Sequence, residues 1–141
     1  MATTTATITL SSSDITDNVL SISNTSTLYT AGTDTGITET TGLARVKTSS
    51  GSNTLLLDFG LTGGVAQDIT ADKSAKVYIK NVNDRGDGTK YVDILIKTRE
   101  IGRLYGGDWM FIPYSGGTGE DIEYTASDTT ETTLEYVVFY E

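Results

Sequence analysis

The chain has 141 residues, of which 19 are acidic and 10 are basic, so its formal net charge at pH 7 is −9. It contains no cysteine and no histidine, which excludes disulfides, thiolate metal sites and every catalytic arrangement that uses an imidazole base. An acidic chain repels a phosphate backbone unless its basic residues are segregated. No basic patch is visible in the sequence, so we expect no nucleic-acid partner.

The N-terminal sequence MATTTATITLSSS lacks the basic start and the long apolar core of an export signal. No apolar run is long enough to span a bilayer, and we expect no membrane partner. The absence of cysteine fits assembly in a reducing cytoplasm. A chain of this length fits one domain with its own core, so we expect a single domain over residues 1–141.

Apolar and polar residues alternate along most of the chain, and no window has the three-and-four spacing of an amphipathic helix. The pattern predicts an all-β fold, a single-domain antiparallel β-sandwich or a jelly-roll-like barrel, with roughly eight to ten strands. The predicted strands are TATITL, NVLSIS, TLYT after a turn at Asn24, LARVKT, NTLLLDFG, KVYIKN, YVDILIK, DWMFIPY, DIEYTA and TLEYVVFY.

Two segments carry a weaker pattern. The stretch from Ala31 to Gly42 has few apolar side chains and predicts a long loop or an irregular edge segment. The segment VAQDITADKSA, from Val65 to Ala75, is long enough for one helical turn capped by Thr70 or Asp72.

The N-terminal segment, residues 1–10, has the pattern of a strand with one wet face. Ala6, Ile8 and Leu10 point to one side, and threonines point to the other. Because its polar beginning has no apolar content with which to order itself, we expect an assembly strand that pairs with a neighbouring chain.

The stretch NDRGDGT, from Asn83 to Thr89, lies between two alternating runs and admits three interpretations: an Arg-Gly-Asp integrin ligand, a calcium loop, or a turn. A calcium loop would need an oxygen ligand where Gly86 stands. Many integrin ligands are exported and disulfide-bonded, and neither feature is present. We predict the tip of a β-hairpin joining KVYIKN to YVDILIK, in which Asp84 and Asp87 bond to the backbone and Gly86 and Gly88 supply positive φ angles.

Glu120, Asp121 and Glu123 form an acidic cluster that we place beside Asp108. A pair of carboxylates is the machinery of glycoside hydrolysis. A charge cluster next to the glycine-rich GGTG is nevertheless more typical of a solvated loop, and the chain is short for a two-sided sugar cleft. We expect no enzymatic activity, no metal and no cofactor.

Aromatic residues are concentrated in the C-terminal third. In DWMFIPY, Trp109 and Phe111 point to one face, and Met110, Ile112 and Tyr114 point to the other. Such strands need cover on both faces, whereas a small sandwich buries only one face of each sheet. We therefore expect burial against neighbouring chains, with these interface candidates: Ile8, Leu10, Trp109, Phe111, Tyr114, Tyr136 and Phe139.

The C-terminal segment EIGRLYGGDWMFIPYSGGTGEDIEYTASDTTETTLEYVVFYE resembles the ending of small virion proteins of tailed bacteriophages. In those proteins a strand with Trp and Pro is followed by a glycine-containing turn and a terminal strand similar to EYVVF. The resemblance covers the C-terminal third. It implies a β-rich, oligomeric subunit, either a capsid decoration (cement) protein or a tail-associated one, and it implies no catalytic residues.

These observations together predict a non-enzymatic virion protein, assembled in the host bacterial cytoplasm, that decorates the phage head and stabilises it. Its expected partners are the major capsid protein and neighbouring copies of itself, in a homotrimer. The alternative is a tail or fibre-associated binding module. Its candidate ligand is a carbohydrate, bound in the region of Trp109 and Tyr114.

Overall fold

The computed structural model describes residues 4–13, 20–29, 37, 39–48, 52–59, 67–69, 75–86, 90–115, 117–127 and 131–140. The chain divides into two compact units, Met1–Ile37 and Thr38–Glu141. The described residues contain twelve strands and no helix, so the predicted all-β class is confirmed. The single domain expected over residues 1–141 stays a prediction.

The first unit contains two strands, β1 (Thr5–Ser12) and β2 (Leu20–Thr27). The second unit contains β3 (Glu39–Thr40), β4 (Ala44–Thr48), β5 (Thr54–Phe59), β6 (Gln67–Ile69), β7 (Ala75–Asn81), β8 (Tyr91–Ile96), β9 (Arg99–Tyr105), β10 (Trp109–Tyr114), β11 (Ile122–Ala126) and β12 (Thr132–Tyr140).

In the first unit, β1 and β2 form an antiparallel two-stranded sheet whose register runs from Thr5 opposite Thr27 to Ser12 opposite Leu20. The strand predicted as TATITL is therefore present. β2 continues without interruption through Asn24, so the turn predicted at that residue is wrong. A threonine-rich and serine-rich sequence favours this extended ladder because β-branched side chains suit a pleated surface.

The second unit is a sandwich of two five-stranded sheets. The β7 sheet has the order β10-β7-β12, with β3 and β4 both pairing along the far side of β12. The β8 sheet has the order β6-β5-β11-β8-β9. Among the strands that the structure describes in this unit, β5 and β6 pair in parallel and the other pairs are antiparallel, so the antiparallel prediction fails at the pair of β5 with β6.

The core lies between the two sheets, and alternation along each strand decides which side chains enter it. In β7 the residues Ala75, Val77 and Ile79 are fully buried, and in β11 every second residue is buried. The main cluster draws on both sheets and contains Leu56, Leu57, Ala75, Val77, Ile79, Val92, Ile94, Leu104, Ile122, Tyr124, Leu134 and Val138.

The predicted hairpin between KVYIKN and YVDILIK does not form, because β7 and β8 lie in different sheets. The connection that carries NDRGDGT therefore crosses from one sheet to the other. Asp84 does bond to the backbone, since its Oδ1 accepts from the amide of Gly86 at 3.1 Å. Gly86 has no positive φ, which corrects that part of the prediction, and residues 87–89 lie outside the described part of the chain.

A second crossing, from β9 to β10, meets the first at the side chain of Asn81, which is completely buried. The amide Nδ2 of Asn81 donates to the carbonyl of Leu104 at 3.0 Å. Its Oδ1 accepts from the backbone amide of Asn83 at 3.1 Å and from the Asn83 side chain at 2.8 Å. The backbone amide of Asn81 donates to the Asp108 carbonyl at 3.0 Å, and Gly107 donates to the Asn81 carbonyl at 2.8 Å. One residue thus joins both crossings.

The two crossings approach each other so closely that one position requires glycine. A Cβ built on Gly106 would stand 2.5 Å from the carbonyl oxygen of Asp84 and 2.8 Å from that of Asn83. Asp108 adds a further connection, because its Oδ1 accepts from Arg85 at 2.8 Å and its Oδ2 accepts from the amide of Tyr105 at 3.1 Å.

Strand β9 was not predicted, and the turn before it explains why. β8 and β9 are joined by a two-residue turn, Lys97 and Thr98, with φ angles of 48° and 65°. Positive φ at both central positions characterises a type I′ turn, for which Asn-Gly is the usual sequence. Lys-Thr gives no such signal, and the surrounding structure holds it instead: Lys97 donates its amide to the Asp121 carbonyl and Thr98 donates to the Glu123 carboxylate.

The two weakly patterned segments are described only in part. Within 31–42, Glu39–Thr40 forms the short strand β3 at the edge of the β7 sheet, while residues 31–36 and 38 lie outside the described residues. Within VAQDITADKSA, Gln67–Ile69 is strand β6 rather than helix, and the candidate caps Thr70 and Asp72 lie outside them.

We predict that replacing Asn81 with leucine lowers the free energy of unfolding by about 2–4 kcal/mol, because the Leu104 carbonyl and the Asn83 amide lose their buried partner. Urea denaturation measures this difference. The matched control is Asn53→Leu, since Asn53 is exposed and its side chain bonds to Thr125 at the surface; it should cost less than about 1 kcal/mol. Equal effects would contradict the role given to Asn81.

We predict that the double substitution Lys97→Asn, Thr98→Gly raises the free energy of unfolding by about 0.5–1 kcal/mol, because left-handed backbone is costly for a β-branched residue. Thermal and urea unfolding test the gain. Thr133→Gly, in the extended strand β12, is the control and should lower stability by about 1 kcal/mol. A loss at the turn would contradict the strain assigned to it.

Candidate functional site

The hairpin of β1 and β2 has two chemically different faces. Residues directly opposite each other in an antiparallel pair lie on the same face. One face carries threonine and serine only, and its hydroxyls bond across the strands, as between Thr7 and Thr25 at 2.7 Å. The other face carries Ile8 and the directly opposed pair Leu10 and Ile22, with Leu20 beyond them.

These four residues, which we call the aliphatic face, are exposed. Their exposed fractions are 38% for Ile8, 53% for Leu10, 37% for Leu20 and 49% for Ile22. A two-stranded hairpin is marginally stable in water without a packed face. The described residues of the hairpin, 4–13 and 20–29, include no charged side chain.

The outer face of the β7 sheet is the second candidate. We call Tyr78, Trp109, Phe111, Val137 and Phe139 the aromatic face; all five point away from the core, since their strand neighbours are buried or packed against it. The register places Phe111, Tyr78 and Val137 side by side on three adjacent strands. These residues therefore form one continuous surface.

Trp109 is the most exposed member of the aromatic face, at 50%. Its ring centroid lies 6.3 Å from that of Tyr78, with the planes tilted by 34°, a separation typical of favourable aromatic pairs. Partial burial raises the pKa of Tyr78, and the nearby Glu135 carboxylate raises it further. Tyr78 thus stays a neutral phenol at physiological pH.

Basic residues flank this surface. Lys76 and Lys80 lie on β7 on either side of Tyr78 and point to the same face. At the far edge, Arg45 bonds to Glu135 at 2.7 Å and Lys47 bonds to Glu131 at 2.6 Å. Sequence reasoning missed this grouping, because the four cations come from two strands that are brought together only through β12.

The structure separates the interface candidates into two groups. Ile8 and Leu10 lie on the aliphatic face, and Trp109, Phe111 and Phe139 lie on the aromatic face. Tyr114 and Tyr136 instead lie on the core side of their strands and pack against the core cluster.

The carbohydrate platform considered for Trp109 and Tyr114 does not exist as one surface, because the two residues lie on opposite faces of β10. The hydroxyl of Tyr114 donates to the carbonyl of Glu120. Burial, followed by the Glu120 and Asp121 carboxylates, raises the pKa of Tyr114. The aromatic partner of Trp109 is Tyr78, and alternation along β7 was the signal that could have identified it.

The carboxylates are also separated. Asp108 precedes the first residue of β10, whereas Glu120 contacts Tyr114 at the other end of that strand, roughly 20 Å away at the rise of an extended chain. Glycosidase carboxylates lie within about 10 Å of each other. The expectation that the acidic cluster lies beside Asp108 is therefore wrong. Glu120 lies 3.5 Å from Lys97, in a shallow depression lined by Ile96, Lys97, Thr98, Arg99, Tyr114 and Glu120.

A further cluster lies on the outer face of the β8 sheet. The Arg103 guanidinium lies 3.7 Å above the ring of Tyr91 and bonds to both carboxylate oxygens of Asp93, at 2.7 and 3.2 Å. The bond to Asp93, followed by that to Tyr105, raises the pKa of Arg103. These contacts join β8 to β9 on the outer face of the sheet. This cluster was not predicted from the sequence, because strand β9 was not predicted.

Among the described residues, no group of three acidic side chains is arranged to hold a metal ion. In the same part of the chain, no helix is long and apolar enough to cross a membrane. Comparison with protein-family models found no match, and comparison with curated proteins found none.

We predict that Trp109→Ala lowers the free energy of unfolding by less than about 1 kcal/mol, because half of the side chain is already exposed. Ile112→Ala, on the same strand but facing the core, should cost about 2 kcal/mol. Urea denaturation of both variants makes the comparison. A loss for Trp109 as large as that for Ile112 would mean that the indole belongs to the packing of the subunit.

Proposed function

We propose that this protein is a non-enzymatic virion structural protein, a decoration subunit that binds the head of a tailed bacteriophage as a homotrimer and stabilises it. The observation that carries the proposal is the aliphatic face of the hairpin, where four large aliphatic side chains are exposed together and the described residues carry no charge. Exposed apolar patches of this kind mark interaction sites.

The arrangement of the hairpin supports an assembly role. Its polar face is satisfied by cross-strand hydroxyl bonds such as that between Thr7 and Thr25, so the hairpin needs cover on one side only. A partner that covers the aliphatic face would stabilise the hairpin and the contact at once. In this proposal the assembly element comprises both strands, β1 and β2, and not the first ten residues alone.

Stabilisation of a shell follows from mass action. A subunit that binds only the assembled lattice lowers the free energy of that state relative to the dissociated one. Repetition over many equivalent sites makes a modest contact effective. The resemblance of the C-terminal segment to virion proteins supplies the class of partner, the major capsid protein.

We predict that the purified protein raises the resistance of undecorated heads to heat and osmotic shock, and that the double variant Leu10→Thr, Ile22→Thr binds heads about tenfold more weakly or worse. Each substitution removes apolar area from the aliphatic face and places threonine, a residue with high strand propensity, in the strand. Co-sedimentation with heads measures binding, and thermal release of the genome measures stabilisation.

The matched control is Thr9→Ala, Ser23→Ala, an opposed pair on the polar face with a side-chain distance of 3.4 Å, which should bind heads normally. Equal binding by the aliphatic-face variant would contradict the role of that face. Mass spectrometry of separated heads and tails gives an independent answer, because copies in a tail would number far fewer than copies on a shell.

The alternative, a tail or fibre-associated module that binds carbohydrate, has one observation in its favour. Trp109 is half exposed and lies beside Tyr78, and aromatic faces with polar rims suit sugar rings. Binding to a glycan array that is lost in Trp109→Ala, together with no binding to heads, would support this alternative over head decoration.

A further inference from the structure

The hairpin of β1 and β2 has two open edges as well as one exposed apolar face. The amide of Leu28 donates to the carbonyl of Thr4 at 2.9 Å, and this pair continues the register in which Thr5 lies opposite Thr27. Hydrogen-bonded and non-hydrogen-bonded pairs alternate along an antiparallel ladder. The pair of Thr5 with Thr27, and every second pair after it, therefore directs its backbone N–H and C=O groups away from the partner strand.

The side chains agree with this assignment, because opposed side chains lie closer in non-hydrogen-bonded pairs and the hydroxyls of Thr7 and Thr25 are 2.7 Å apart. Among the described residues outside the hairpin, none bonds to the outward backbone groups; the amide of Ile37 reaches only the carbonyl of Leu28, beyond the end of β2. The outward groups belong to Thr5, Thr7, Thr9 and Ser11 on β1 and to Ser21, Ser23, Thr25 and Thr27 on β2.

The edges of the sandwich differ from those of the hairpin. Proline, charged side chains and bulges all hinder the addition of a further strand to a sheet edge. The edge strand β10 carries Pro113, and the edge strand β9 carries Arg99 and Arg103 and has a shift in its register with β8. The described residues of the hairpin include no proline and no charged side chain, and their register is uninterrupted along all of β1. The hairpin edges are therefore suited to pairing with another chain.

A closed barrel would satisfy both the open edges and the aliphatic face. Pairing at the edges alone would leave Ile8, Leu10, Leu20 and Ile22 in water, and covering the face alone would leave the outward backbone groups without protein partners. A barrel has no edges, and its interior side chains alternate with exterior ones along every strand. The hairpin has this pattern, with aliphatic residues on one face and hydroxyls on the other.

Further copies of this chain can supply the other strands of such a barrel. β1 and β2 are antiparallel, and each has 8 residues, so β2 of one copy can pair antiparallel with β1 of the next along its whole length. This contact joins two different surfaces of identical subunits, and contacts of that kind close into a ring when the rotation allows it. Successive hairpins joined in this way have the strand order of an up-and-down barrel.

We propose that the hairpins of three copies form a closed β-barrel, in which β2 of each copy pairs with β1 of the next. The aliphatic face lies inside the barrel, and the threonine and serine hydroxyls lie outside. The inference rests on the proposed function in taking the trimer as the assembled state. It names the partner that covers the aliphatic face, which is the same face of two further copies. The weaker head binding of Leu10→Thr, Ile22→Thr then follows from loss of the trimer.

Hydrogen exchange of the purified full-length protein, followed by NMR, tests the outward backbone groups directly. In a separate hairpin the amides of Ala6 and Ile8 bond to β2, whereas those of Thr7 and Thr9 face water. In the barrel all four amides are bonded. We expect the amides of Thr7 and Thr9 to exchange as slowly as those of Ala6 and Ile8, within about tenfold, and light scattering to report a trimer.

The test variant is Thr7→Pro, which removes one outward N–H and no bond between β1 and β2. Because proline is tolerated where its nitrogen faces away from the neighbouring strand, the hairpin should persist while trimerisation weakens by about tenfold or more. The control is Thr7→Ala, which loses the hydroxyl contact with Thr25 but keeps the amide and should form the trimer normally. Leu10→Thr, Ile22→Thr should also dissociate the trimer, because it removes apolar side chains from the barrel interior. Circular dichroism checks the fold of each variant.

A protein that is monomeric or dimeric at all concentrations would overturn the inference. So would a trimer in which the amides of Thr7 and Thr9 exchange rapidly, or one that neither Thr7→Pro nor Leu10→Thr, Ile22→Thr weakens, because its contact would lie elsewhere. Failure here is distinguishable from failure of the proposed function. Head binding by a monomeric protein removes the barrel alone, whereas a trimer with protected outward amides that does not bind heads removes head decoration alone.

Discussion

The sandwich depends on the buried side chain of Asn81. Two connections cross between the sheets at this point, and each would leave backbone groups without partners in a site that water does not reach. The side-chain amide of Asn81 accepts a hydrogen bond from the backbone of Asn83 and donates one to the carbonyl of Leu104. The backbone of Asn81 bonds to the turn before β10. Buried polar groups of this kind are costly unless every one of them is bonded, so the crossing holds one geometry.

Placing β7 and β8 in different sheets determines which side chains lie on the outer face of each sheet. Strand β7 lies between β10 and β12. Its outward-facing residues, such as Tyr78, therefore lie beside Trp109 and Phe111 of β10 on one side and beside Val137 and Phe139 of β12 on the other. Strand β8 lies in the other sheet, where it pairs with β9, and Asp93 of β8 therefore bonds to Arg103 of β9. The first surface carries apolar area that includes the half-exposed indole of Trp109, and the second carries the two bonds from Arg103 to Asp93.

Much of the strand pattern was predictable because side chains alternate with a period of two, and that period needs no knowledge of the partner strand. It placed Ile8 and Leu10 on one face, and it placed Trp109 and Phe111 opposite Met110 and Ile112, as the structure has them. Strand β9 was missed because its Lys97-Thr98 turn is held by tertiary hydrogen bonds rather than by favourable residues. The prediction of a hairpin at NDRGDGT was wrong because residues that favour a tight turn also suit a connection that crosses between sheets.

By itself, the sequence determined the all-β class, the division of side chains between the two faces of the predicted strands, and the acidic, cysteine-free and histidine-free character of the chain. Alternation and composition are local properties, and each residue carries them whatever its neighbours in space. Only the tertiary structure decided which strands pair, that Asp108 and Glu120 lie apart, and that Arg45, Lys47, Lys76 and Lys80 share one face around aromatic rings. Those relations depend on the order of strands in each sheet, which is set by long-range packing and by the buried bonds of Asn81.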